Sequence, residues 1–219
     1  MEWSAKMSEK EGVIKFKYDL HYSDSAVRPA DVSEIDAGRS TLFDMGGIGV
    51  DRTGIGYGNI SRLISRKNGK STFLITGSQT GGFARLTEKH YTIIDEYDIS
   101  KFYVRARGMV APSSESLTHA MLYDLSDEVR WIAHIHDEVI WEYMVRNNLP
   151  STDESAYGTS ELAMCVKNIY NGMDPFSNNA FAMLGHRPGI VSFGRDMGEA
   201  INPILMYLRD AIIESFDDF

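Results

Sequence analysis

Between Tyr57 and Arg107 the sequence is cut into short stretches of β-forming residues, and this constrains the fold more than any other feature. Residues 59–65, 71–76, 90–97 and 101–107 read as strands, separated by Asn68-Gly69 and by the glycine-containing run 77–82. Asn-Gly between two such runs is a hairpin signal, because both residues tolerate the positive φ that a two-residue turn needs. Antiparallel neighbours are therefore expected. Helical spacing brackets this region. Residues 31–43 carry Val32, Ile35, Leu42 and Phe43 behind Asp and Ser as candidate caps, and Gly46-Gly47 ends the run. A helix is expected after Pro112-Ser113-Ser114-Glu115, then a strand over 130–136 and helices over 137–146 and 159–170. Strands over 180–185 and 189–193 and a helix over 196–215 complete the pattern. Hairpin-linked strands flanked by helices predict an α/β fold with a largely antiparallel sheet between helical layers.

The chain has 219 residues, 43% of them hydrophobic, enough for a full core, and no internal repeat or Pro/Gly/Ser-rich linker divides it. One domain over residues 31–219 behind an N-terminal extension, residues 1–30, is the simplest organisation. A net charge of −9 argues against nucleic acid as partner, since backbone binding needs clustered Lys and Arg. Any anionic ligand must be held by a local site. The opening MEWSAKMSEKEG has no apolar core of a signal peptide, and no run approaches the roughly 18 apolar residues of a membrane span. No membrane association and a cytoplasmic location are expected. Cys165, the single cysteine, excludes an intrachain disulfide and, within ELAMCVKNIY, is expected in the core.

His134-Ile-His136 closes the apolar run Trp131-Ile132-Ala133, and a further histidine stands at His186. Alternate residues of a strand share a face about 7 Å apart, so the pair can address one divalent ion, and a distant third ligand leaves a coordination position open for substrate. The same residues also suit two unrelated surface or core histidines. Two glycine-rich stretches precede them. Gly46 to Asn59 lacks both the strand-turn-helix setting and the GxxxxGK[ST] pattern of nucleotide binding, and is expected to be a flexible loop. Residues 76–82 follow a strand and offer backbone N–H groups with Thr76, Ser78 and Thr80, either a phosphate nest or a long turn. Ser113 and Ser114, with Glu115 beside them, can hold an anion at a helix start or simply cap it. His119, one turn after Glu115, fits either packing or a site.

Taken in order, GNISR at 58–62, the loop to Gly82, PSSE to Glu115, His134-x-His136, YGTSELA at 157–163 and Gly185-His186 before PGIV resemble the class II aldolase/adducin family, in particular its fuculose-phosphate aldolase type. The resemblance spans roughly residues 38–205. It implies an α/β/α three-layer sandwich, often assembled as a homotetramer with sites between subunits. It implies His134, His136 and His186 as ligands of zinc or another divalent metal, and Glu115 near that metal as acid/base. Asn59, Thr80, Gly81, Ser113 and Ser114 would form the phosphate cradle. The implied activity is that of a lyase in carbohydrate metabolism: cleavage of a ketose 1-phosphate, a small phosphorylated sugar, through a metal-stabilised enediolate. The same constellation suits an epimerase, dehydratase or decarboxylase acting on a sugar phosphate or oxo-acid. An adducin-like interaction protein without catalysis is the other class, and retention of three histidines and Glu115 favours the enzyme. The sequence departs from the fuculose type in two places. Asp153, Glu154, Ser155 and Ala156 stand where that type carries a catalytic tyrosine, leaving Tyr157 as the candidate proton donor, and the 76–82 loop is longer than the compact ITPTG-like form.

Overall fold

The strand Trp131–His136 shows why the chain layers as it does. Its residues alternate between two apolar layers: Trp131, Ala133 and Ile135 enter one, and Ile132 enters the other. A strand buried on both faces must lie inside a sheet covered by helices. The computed structural model describes residues 12–155, 159–172 and 179–217, and it contains that sheet. In chain order its elements are β1 (Lys17–Tyr22), α1 (Pro29–Asp44), β2 (Gly49–Val50), β3 (Gly56–Tyr57), β4 (Asn59–Lys67) and β5 (Lys70–Thr76). There follow β6 (Tyr91–Asp98), β7 (Tyr103–Gly108), α2 (Ser116–Leu125), β8 (Trp131–His136), α3 (Glu138–Arg146) and α4 (Ser160–Gly172). The last are β9 (Ala180–Ala182), β10 (Gly189–Gly194) and α5 (Met197–Asp217).

Eight strands form one sheet in the order β1-β7-β6-β5-β4-β8-β10-β9, antiparallel at every pairing except β1 with β7. Leu117, Met121 and Leu122 of α2 and Leu162 and Val166 of α4 cover one face, against Phe73, Ile75, Ile132 and Val191. Ile35 and Leu42 of α1, Ile140 and Met144 of α3, and Ala200 and Ile204 of α5 cover the other, against Ile60, Leu74, Ala133 and Ile190. The result is a three-layer α/β/α sandwich. Each fully buried Leu, Ile or Phe in these layers contributes about 1.5–3 kcal/mol relative to exposure. No helix among the described residues is long and apolar enough to cross a membrane.

Local chemistry sets the boundaries. Asn68 and Gly69 both have positive φ (52° and 71°) and join Lys67 to its ladder partner Lys70, as the hairpin signal requires. Asp137 caps α3, its carboxylate accepting the Ile140 N–H at 2.9 Å. Helix α1 starts earlier than the expected cap: Pro29 opens it, where a missing N–H costs nothing, and Asp31 lies in its first turn bonded back to Arg28.

Several expectations are corrected. The glycine-rich stretch Gly46 to Asn59 is not a flexible loop, because β2 and β3 pair as a two-stranded ribbon whose backbone packs on the 77–82 loop. The strand expected over 180–185 stops at Ala182, after which a turn takes over. Cys165 is half-buried, its Sγ accepting the Asp153 N–H at 3.3 Å. Strand β1 was not anticipated. It is a mostly exposed edge strand, so it lacks the apolar alternation that marks a half-buried one.

Candidate metal centre

The alternation of β8 that sends Ala133 and Ile135 into one layer sends His134 and His136 to the opposite face, where α2 and α4 lie. The turn between β9 and β10 delivers His186. That turn is fixed at several points: the Trp141 indole N–H donates to the Met183 carbonyl at 3.1 Å, the Leu184 N–H to Thr152 Oγ1 at 3.0 Å, and the Gly189 N–H to the His186 carbonyl at 2.6 Å. The three rings meet with Nε2 of His136 at 3.2 Å from Nε2 of His134 and 3.1 Å from Nε2 of His186. Two nitrogens bound 2.0–2.1 Å from one ion at tetrahedral angles stand about 3.3 Å apart, so the spacing suits a zinc-sized ion.

The donor chemistry agrees with the spacing. His134 Nδ1 lies 3.1 Å from the Ile190 carbonyl; as the N–H donor it leaves the Nε2 lone pair facing the cluster, the outer bond that metal-binding histidines commonly make. Burial pushes His134 down to about 4 and His186 to about 3, and holds His136 well below its ordinary value with help from its two neighbours. All three are neutral near pH 7, so their Nε2 atoms at about 3 Å can share protons as hydrogen bonds or turn their lone pairs together on one cation. Tyr57 stacks on the His136 ring at 5.2 Å and 15°, its hydroxyl donating to the Gly46 carbonyl at 3.1 Å. Gly189 passes so close that a Cβ there would lie 2.8 Å from His186 Cδ2 and 3.0 Å from His134 Cε1. Sequence reasoning found neither Tyr57 nor Gly189, since only the folded register brings them to the rings.

Beside the histidines lies a small polar pocket. Asn59, Thr80, Gly81, Ser113 and Ser114 all line it. Asn59 stands opposite His134 in the β4–β8 ladder, which joins pocket to cluster, and its Oδ1 is buried without a hydrogen-bond partner. Thr76 instead accepts the Ile60 N–H at 3.2 Å, while Thr80 Oγ1 donates to the Gly77 carbonyl at 2.8 Å. Behind the loop the buried Arg39 of α1 donates to the carbonyls of Thr80 (3.3 Å), Gly81 (3.0 Å) and Ala84 (3.1 Å). A charged helix residue reads as solvent-facing, which is why the sequence did not disclose this brace.

Glu115 follows Ser114 at the start of α2 and is 2% exposed. Thr118 Oγ1 donates to its Oε2 at 2.8 Å, and Oε1 has no partner. Burial pushes its carboxyl up to about 7, against the opposing effects of the Thr118 hydroxyl and the charge of Lys15. One turn on, His119 is fully buried, with Nδ1 2.7 Å from Ser61 Oγ, which is itself 2.7 Å from the Tyr123 hydroxyl. Its Nε2 has no partner, and burial holds the ring neutral, at about 3. Tyr157 lies outside the described residues.

A sequence model described as the class II aldolase and adducin N-terminal domain matches residues 51–211. Among solved structures, the chain is similar to an L-fuculose 1-phosphate aldolase at 22% identity and a TM-score of 0.63, covering 89% of each chain. It is similar to a sugar-phosphate aldolase from Thermotoga maritima at 19% identity and 0.58, covering 82% of this chain and 90% of that one. The L-fuculose-1-phosphate aldolase from Thermus thermophilus gives 20% and 0.57, over 84% and 91%. At such identities these likenesses speak for the fold alone. No curated protein matches the sequence.

Proposed function

The chain belongs to the class II aldolase and adducin family, and on that premise we propose that it is a divalent-metal-dependent aldehyde-lyase cleaving a ketose 1-phosphate. The observation that carries this reading is the convergence of three neutral imidazoles on one point, next to a polar pocket reached through the Asn59–His134 pairing. A family member that served only as an interaction surface would have no physical use for such a cage.

In this proposal His134, His136 and His186 hold the ion, zinc by the chemistry of a three-imidazole donor set. The ion when bound polarises the substrate carbonyl and so eases breakage of the adjacent C–C bond. Glu115 handles the proton. With its carboxyl near 7 it is available both as acid and as base around neutrality, and Thr118 engages Oε2 while Oε1 is left without a partner. Cleavage leaves the electron pair on the carbonyl-bearing half, and the Glu115 proton completes that carbon as a C–H bond; in synthesis Glu115 removes it. Asn59, Thr80, Gly81, Ser113 and Ser114 seat the phosphate through neutral donors. Tyr157 is the candidate for the proton on the aldehyde side, and a cytoplasmic homotetramer is the assembly the family resemblance implies.

Elemental analysis of the purified protein, with a His134→Ala/His136→Ala control, tests the premise of the mechanism. About one divalent ion per chain, lost in the control, supports it, and ketose 1-phosphates are then screened for release of an aldehyde. Absence of a specific metal even after reconstitution moves the reading to an adducin-like interaction protein. Epimerisation, dehydration or decarboxylation in the same screen would keep the site and change the reaction.

A further inference from the structure

The pocket beside the histidines is lined only by glycine, serine, threonine, asparagine and glutamine, so its lining supplies no positive charge. The protein as a whole carries a net charge of −9, which opposes the approach of an anion. One wall of the pocket comes from Gly12, ahead of β1. The backbone there lies against the cradle: Gly12 has φ +71°, and a Cβ would stand 2.3 Å from the Gln79 amide nitrogen. From this point the chain runs toward the sheet with alternating burial. Ile14 and Phe16 pack into the apolar layer beneath α2, and the Lys17 N–H donates to the Phe102 carbonyl at 2.8 Å to begin β1. Lys15, between the two anchors, is exposed. Its charge bears on Glu115, which directly follows the Ser113-Ser114 wall of the same pocket that Gly12 lines.

We propose that Lys15, carried on the strap from Gly12 to Phe16, is the cation that recognises the phosphate of the substrate, making the N-terminal segment a wall of the site. This rests on the reading above that the substrate is phosphorylated. Three residues of extended chain span at most about 10 Å, and lysine adds a flexible four-carbon stem, so a residue anchored between Gly12 and Phe16 can reach an anion seated in the cradle. Neutral hydroxyl and backbone donors orient the phosphate, and Lys15 supplies the charge that draws it in and balances it. Ile14 and Phe16 anchor the strap through their own apolar packing, which a change at Lys15 leaves in the sequence.

Inorganic phosphate is the probe. Its affinity for the full-length protein, with metal content measured alongside, is compared by calorimetric titration in wild type, Lys15→Ala, Lys15→Arg and Ser113→Ala/Ser114→Ala. The expected result is a loss of about three- to tenfold in Lys15→Ala at unchanged metal content, recovery in Lys15→Arg, and a difference that narrows as salt is raised. Wild-type affinity in Lys15→Ala with weakened binding in the serine variant overturns the role of Lys15 and leaves the phosphate reading standing. Absence of phosphate binding in the metal-loaded wild type overturns both.

Discussion

Replacing Glu115 with Gln should make the protein more tolerant of alkaline conditions while abolishing proton transfer. The carboxyl titrates at about 7 in the fold against an ordinary value of 4.5. Between those values the folded chain keeps a proton that the unfolded chain has released, so stability is greatest below 4.5, falls as pH rises toward 7, and is flat above it. The interval of 2.5 units between those two values, at about 1.4 kcal/mol each, makes the loss about 3 kcal/mol. Glutamine has nearly the same shape and no charge to bury, so the variant lacks this slope, whatever constant offset its amide introduces. The quantity to follow is the difference in unfolding free energy between Glu115→Gln and wild type, from urea titrations in chelator at pH 4.5, 6 and 8. It should move in favour of the variant by about 3 kcal/mol across that range, or roughly 6–12 °C in Tm for a chain of this size. Other titrating groups cancel in the difference. A gap that stays constant with pH would refute the argument, because Glu115 would then ionise as readily in the fold as in water. The same variant should retain its metal and lose exchange of the substrate's α-proton with solvent.

Further substitutions probe the supporting structure. Gly189→Ala inserts a methyl group 2.8 Å from His186 Cδ2 and should weaken metal binding about 10–100-fold in competition with a chromophoric chelator, with the circular dichroism spectrum unchanged. Unaltered affinity would mean the rings do not depend on this contact for their positions. Arg39→Met leaves the carbonyls of Thr80, Gly81 and Ala84 without their donor; a loss of at least about 2 kcal/mol in urea and a raised KM for phosphorylated substrate are expected, and a wild-type KM would count against the brace. Tyr123→Phe removes the hydroxyl bonded to Ser61 and should cost about 1 kcal/mol, with a smaller cost in a Ser61→Ala background if the pair is coupled.

What the sequence disclosed and withheld follows from how each feature is encoded. The 3.6-residue spacing marks α1 because that helix buries one face, and the continuous apolar run 131–133 marks β8 because that strand is buried on both. Asn68-Gly69 marks its hairpin because few residues accept positive φ twice. Strand β1 escapes because an edge strand with only Leu20 half-buried writes no apolar pattern. The β2–β3 ribbon escapes because its order comes from contact between backbones: Gly81 lies so near the Gly49 carbonyl that a Cβ would stand 2.2 Å from it. At the site, the histidines were legible from spacing and resemblance, and their convergence on one point is a property of the turn ending at Gly189. Arg39, Tyr57 and Lys15 were invisible as site residues, since each serves the site from an element whose local sequence has another explanation.

The ladder around β8 also gives the protein an internal check on its own assembly. His134 is paired with Asn59 on one side and Val191 on the other, so two independent strands set the register of one segment. A slip by a single residue would turn both imidazoles of β8 through the sheet into the aliphatic layer of Ile35, Leu42 and Ile140, away from His186. A molecule trapped that way could still look folded in its secondary structure. On the proposed metal reading it would be blind to the ion. The fraction of a refolded sample that takes up one ion per chain therefore counts the molecules whose strands are aligned, a quality assay that needs no knowledge of the substrate.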